Sequence, residues 1–133
     1  MTDNEALLAF RMREAEETLG DAERMLESGL SPRSIANRAY YAMFYSVLAL
    51  FLNANVAIKT SKHAGVISVF DKEFVHTGLI DAHFSKILHK TFEARQTIDY
   101  KELVEVTAEE AAVHVRGARE FLSAVRKSIA ASK

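Results

Sequence analysis

The chain contains no cysteine. Disulfides, thiolate nucleophiles and cysteine-ligated zinc are therefore excluded, and the composition suits a reducing, cytoplasmic setting. Proline occurs once and glycine five times in 133 residues. So little punctuation leaves long stretches free to continue as helix. No run approaches the ~18 consecutive apolar residues of a membrane span. The N-terminal MTDNEALLAFRMREAEE carries acids where a signal peptide carries basic residues. Charge of one sign is missing too: 17 Lys and Arg face 18 Asp and Glu, for a formal net charge of −1. A duplex-DNA binder carries a marked basic excess. A balanced chain still leaves room for a local nucleotide or RNA site.

What is present reads as helix, in a length that suits one domain over residues 1–133. Thr2 and Glu5 have capping-box spacing. Leu8, Met12, Ala15, Leu19, Ala22 and Leu26 recur at steps of four and three, which predicts a first helix over about 5–27. Gly29 closes it. Ser31 and Pro32 pair an N-cap with a proline at the first helical position, opening a second helix to about Leu52. That helix is apolar on most sides after Ala39, so a central position is expected. Residues 53–60 read as a loop, and Ser61 as the cap of a third helix over 62–75, with Val66, Ile67, Val69 and Phe70 inward. Thr77 and Gly78 mark a turn. Asp81 caps a fourth helix over 82–98, with Phe84, Ile87, Leu88 and Phe92 as core, and residues 99–106 read as a linker unless the helix extends to Tyr100. Thr107 and Glu110 form a second capping box. The stripe Ala111, Val115, Ala118, Leu122, Val125 and Ile129 follows, with Arg126 and Lys127 placed to suit the helix dipole. The expected fold is all-α: an antiparallel up-and-down bundle of about five helices. A stripe left uncovered calls for a second copy, so a homodimer is expected.

Polar residues within this pattern supply the chemistry. In FEARQTIDY, Arg95 and Asp99 share a helix face, with Tyr100 beside them. Arg95 either offers its planar fork of donors to a phosphate or pairs with Asp99 as an internal brace. Arg38, Tyr41 and Tyr45 form a polar-tipped seam on the apolar second helix. Arg38 either satisfies an acid on another helix, such as Asp99, or converges with Arg95 on one cleft. Lys62 and His63 begin the third helix, where free N–H groups favour an anion. His63, with an unperturbed pKa of about 6.5, suits acid–base work, unless it simply belongs to a surface loop. His76, His83, His89 and His114 form neither HExxH nor a close ligand pair, so no metal and no cofactor is expected. There is no glycine-rich phosphate loop and no G-x-S-x-G elbow. The aromatics of AYYAMFY read as core rather than as a base-stacking platform.

The blocks RSIANRAYYAMFYSVLALF, SKHAGVISVF and ARQTIDY, in that order, resemble the HEPN domain, the higher eukaryotes and prokaryotes nucleotide-binding domain. The likeness is to its small stand-alone prokaryotic branch and covers about residues 31–100. It implies a helical bundle, often dimeric. It also implies a place as the toxin half of a toxin–antitoxin or defence pair, with a minimal nucleotidyltransferase as partner. Active members are metal-independent ribonucleases. Their signature is an arginine followed four to six residues later by a histidine, with two copies meeting in a composite site.

Arg95 matches that arginine, but Gln96, Thr97, Ile98, Asp99 and Tyr100 follow, without a histidine. Asp99 stands at the shortest spacing, and a carboxylate of pKa about 4 is a weak general base at neutral pH. On the resemblance, the catalytic candidates are Arg95, Asp99 and His63, the last compensating for the missing histidine. Arg38, Tyr41, Lys62, Arg95 and Tyr100 are candidates for holding RNA or nucleotide phosphate. A partner nucleotidyltransferase would restrain the module by steric cover or by modifying a tyrosine, for which Tyr100 is the candidate. Two function classes stay open. One is a toxin-type module that binds its partner and RNA, with or without cleavage. The other is a noncatalytic helical adaptor, substrate-binding subunit or structural homo-oligomer in which Arg95–Asp99 is a brace.

Overall fold

Both capping boxes form. Thr2 Oγ1 accepts from the Glu5 N–H and Glu5 accepts from the Thr2 N–H, each at 3.1 Å, ahead of helix α1 (Asp3–Glu27). Thr107 and Glu110 repeat the exchange ahead of α5 (Ala108–Ala131). The structure is a computed structural model that describes residues 2–100 and 105–132, the side chains of 96–100 excepted. Gly29, at φ 68°, takes the left-handed conformation that lets the Leu30 N–H return to the Met25 carbonyl at 3.0 Å and end α1. Ser31 and Pro32 open α2 (Pro32–Ala54) as the sequence predicts, and Asn55 in the left-handed region closes it.

Helix α2 packs against α1, α5 and α4 (Ala82–Tyr100). It is long and apolar enough to cross a membrane, yet most of that length is buried by its neighbours. It is the central helix of the bundle, with Tyr40, Met43, Leu50 and Phe51 fully enclosed. Asn53 Nδ2 donates to Ser132 Oγ at 2.8 Å, so α2 and α5 end together and run in the same direction. Arg119 and Arg126 of α5 reach back along α1, and Thr91 of α4 meets His114 of α5 while His83 meets Glu120. Helices α1 and α4 therefore run against α2 and α5. Among the described residues the elements are five α-helices and one π-helical turn. The α5 stripe from Ala111 to Ile129 is buried throughout.

The third helix departs from expectation. It is α-helical only over α3 (His63–Phe70) and continues directly into a π-helical turn, Asp71–Val75. There the His76 N–H bonds to the Asp71 carbonyl, five residues back, at 2.8 Å. Ser61 is not its cap. Lys62 holds the N-cap position without a side-chain bond, and Thr60 Oγ1 accepts from the Lys62 N–H at 3.1 Å. The hydroxyl that shapes the approach to α3 thus lies one residue earlier than predicted. Asp81 does cap α4, accepting from the His83 N–H at 2.8 Å. Helix α4 extends through Tyr100, the longer of the two extents the sequence allows, and 101–104 lie outside the described residues.

Ion pairs close α5 onto α1. Arg119 sits between Glu16 (2.9 Å) and Glu23 (2.6 Å), and Arg126 adds a contact to Glu16 at 2.8 Å. Arg126 therefore serves a neighbouring helix rather than the dipole of its own. Burial alone pushes the Glu16 carboxyl up, but the hydrogen bonds and charges of Arg119 and Arg126 outweigh it and bring Glu16 below the usual range.

Candidate functional site

On α2, the four-residue steps Tyr40–Phe44 and Tyr41–Tyr45 set two aromatic rows side by side. Helix α3 begins over the first row. The His63 ring stacks on Phe44 with centroids 4.3 Å apart and planes 12° apart, and its Nδ1 lies 2.7 Å from the Tyr40 hydroxyl. Helix α4 delivers Arg95 to the second row. Its Nη2 donates to the Tyr41 hydroxyl at 3.0 Å, and its guanidinium carbon lies 5.3 and 5.2 Å from the Tyr40 and Tyr41 ring centres. Arg38 reaches the same Tyr41 ring from α2 itself, at 5.3 Å. Three helices thus bring two cations and an imidazole onto one pair of tyrosines, at distances where ring quadrupoles attract cations.

The Tyr40–His63 pair is neutral at physiological pH. Burial holds the Tyr40 phenol well above its usual range, against the opposing charge of Arg95. Burial, joined by Arg95's charge, holds His63 below the ordinary imidazole value. Tyr40 is fully buried, so its O–H is satisfied by donating to Nδ1, which leaves the ring proton on Nε2. In the other tautomer Nδ1–H donates to the phenol oxygen and Nε2 carries a lone pair. The ring is fixed either way, by Phe44 beneath it and Tyr40 beside it.

Of the residues singled out in the sequence, Arg38, Tyr41, His63 and Arg95 meet in this cluster. Tyr45 flanks it, 5.9 Å from Tyr41. Arg38 bonds to its neighbour Asn37 at 3.0 Å. Lys62 is exposed at the N-cap of α3. Asp99 and Tyr100, as side chains, lie outside the described residues. Two members were missed as site residues. Tyr40 and Phe44 look like core in an apolar helix, and Tyr40 is indeed fully buried, but its hydroxyl and the Phe44 face are what hold His63. A cavity of about 610 Å³ opens elsewhere, between the start of α4 and the second half of α5, lined by Phe84, Ala124 and Lys127 among others. No member of the cluster lines it.

Comparison with known proteins points the same way as the all-helical fold. The model of the HEPN domain family matches residues 8–128. The chain is 40% identical over 129 residues to a UPF0332 protein of Thermotoga maritima, covering 97% of this chain and 96% of that protein. It is also similar to two Methanocaldococcus jannaschii proteins that carry the name "Putative toxin". One is 37% identical over 115 residues, with 86% of this chain and 83% of that protein covered. The other is 33% identical over 121 residues, with 86% and 81% covered.

Proposed function

The chain belongs to the HEPN domain family, and on that premise we propose that it is a toxin-type module whose Tyr40–Tyr41–His63–Arg95 cluster engages the phosphodiester of an RNA or nucleotide. The observation that supports this most is the convergence of Arg95 and His63, from α4 and α3, on adjacent tyrosines of α2. Arg95 brings the donor geometry and permanent charge that suit phosphate oxygens. His63 brings an imidazole that is neutral at pH 7 and held at one edge. With the proton on Nε2 it is a donor to phosphate; with the proton on Nδ1 it is a base.

Cleavage at this site is a transesterification. In the tautomer that carries its proton on Nδ1, Nε2 takes the ribose 2′-hydroxyl proton, the 2′ oxygen attacks phosphorus, the bond from phosphorus to the 5′ oxygen breaks, and water protonates the departing 5′ oxygen. Arg95 stabilises the charge that builds on the nonbridging oxygens. Lys62, exposed beside His63, adds a cation for the neighbouring phosphate. The toxin reading also draws on the names of the two archaeal relatives. It carries with it a second copy of the chain and a minimal nucleotidyltransferase as partners.

The test is cleavage of a mixed labelled RNA pool in EDTA by wild type, Arg95→Ala and His63→Ala, each checked for folding. Cleavage by the wild type alone supports the ribonuclease. Saturable RNA binding without cleavage, weakened in Arg95→Ala, leaves a noncatalytic binding module. Neither binding nor cleavage leaves Arg95 as a structural brace, a reading that its packing against two tyrosine rings also supports.

A further inference from the structure

The helix that carries His63 is eight residues long and has no side-chain N-cap. A helix that short does not hold itself in water, so its placement comes from outside. Its middle is buried through Val66, Ile67 and Phe70. Apolar burial chooses the face that turns inward, but it is non-directional and does not fix position along the axis. Directional contacts do that, and they lie at its two ends. At the start is the bond from His63 to Tyr40. At the far end is Asp71, the first residue of the π-helical turn.

Both Asp71 oxygens are used. Oδ1 accepts from Ser85 Oγ at 2.6 Å, and Oδ2 lies 2.6 Å from His89 Nε2. The Asp71 side chain is 19% exposed and that of His89 44%, so the clamp is shielded on the Asp71 side and open to solvent on the His89 side. Ser85 and His89 are four residues apart on one face of α4, and His89 precedes Arg95 on the same helix by six residues. The clamp therefore ties the helix bearing His63 directly to the helix bearing Arg95. It acts about 12 Å along α3 from the imidazole. Asp71 is also the first residue of the turn at 71–75, where the chain leaves α-helical geometry.

We propose that Asp71, gripped by Ser85 and His89, is a positioning residue that sets His63 against Arg95. This rests on reading their cluster as an RNA phosphate site, and the test separates the two ideas. Imidazole ¹⁵N NMR of the full chain reads the His63 tautomer and titration directly, and binding of a labelled single-stranded RNA oligonucleotide reads the site.

In Asp71→Ala, His63 is expected to move back towards the ordinary titration of about 6.5 and to lose its Tyr40-bonded signature. RNA affinity is expected to fall about 10- to 100-fold. Asp71→Asn, which keeps an acceptor for Ser85, is expected to restore most of both. Should Asp71→Ala fail to fold, Ser85→Ala and His89→Ala each remove one of the two bonds and are expected to give smaller shifts of the same sign. An unchanged His63 spectrum in the folded variants overturns the positioning role. A shifted spectrum in a protein whose wild type binds no RNA keeps the positioning role and overturns the RNA reading instead.

Discussion

Tyr40 and His63, 23 positions apart, share a 2.7 Å hydrogen bond between a fully buried phenol and a half-buried imidazole. Tyr40→Phe keeps the ring and its contacts and removes only the O–H. The loss of one buried hydrogen bond is expected to cost about 1–2 kcal/mol in urea unfolding. The larger effect falls on His63, whose Nδ1 loses its partner. Imidazole ¹⁵N shifts in the variant are expected to show a mixture of tautomers in place of one. A single unchanged tautomer would show that Phe44 stacking alone holds the ring.

Arg95 contributes both a charge and a fork of donors, and two substitutions separate them. Against single-stranded RNA, Arg95→Ala is expected to lower the slope of log affinity against log salt by ~0.7, the share of one phosphate contact. Arg95→Lys is expected to keep the slope and still bind more weakly, because an ammonium does not reproduce bidentate geometry. Fluorescence anisotropy across a salt series makes the comparison. Equal slopes in wild type and Arg95→Ala would place the phosphate contact elsewhere.

Two histidines make stability depend on pH in one direction. Burial lowers the pKa of His63, with help from Arg95. Burial also lowers that of His114, with help from Lys90 and against Glu110; its Nδ1 lies 2.7 Å from Thr91 Oγ1. The unfolded chain therefore takes up protons first as pH falls. Stability is present in full above the unfolded value of 6.5 and is lost as pH drops through the lower folded values. Unfolding free energy is expected to be smaller at pH 5.5 than at pH 7.5. His114→Gln, which offers Thr91 a partner that does not titrate, is expected to flatten part of that slope.

A second loss follows at lower pH. Glu16 is held below its ordinary value of 4.5, so its contribution is present above 4.5 and disappears as pH falls through the folded value. Arg119→Ala is expected to cost about 1 kcal/mol near neutrality, the size of a partly exposed ion-pair network. It is also expected to shrink the acid-dependent loss, which urea titrations at pH 7 and pH 3.5 would compare.

Replacing a helical glycine by alanine ordinarily adds about 1 kcal/mol of stability. At Gly65 the sign is expected to reverse. A Cβ there would stand 2.5 Å from Thr60 Cγ2. Overpacking of this kind costs about 1–3 kcal/mol, so Gly65→Ala is expected to destabilise. Adding Thr60→Ser removes the offending methyl, keeps the hydroxyl that receives the Lys62 N–H, and is expected to recover part of the loss. Thermal unfolding of the single and double variants reads both effects.

The parts of this molecule legible in the sequence are those whose chemistry is local. Thr2 with Glu5, Thr107 with Glu110, and Ser31 with Pro32 each fix a helix start within four residues, and all three form as their spacing predicts. The apolar stripe of α5 is legible for the same reason, since its period alone sets the buried face. The clamp on Asp71 was not legible, because its partners lie 14 and 18 residues further on. In the site, Arg95, His63, Tyr41 and Arg38 stood out as polar residues in apolar surroundings. Tyr40 did not, since one side chain is both core and hydrogen-bond partner, and composition displays only the first role.

The pins between α1 and α5 join residues 96 to 110 positions apart. During synthesis, none of them can form until Arg119 has been translated. Until then the face of α2 that α5 covers stays open, and a chain released before Arg119 has no means of closing it. Closure of the bundle is thus tied to synthesis of α5, so a product terminated before Arg119 is expected to be a target for proteolysis rather than a partly working protein.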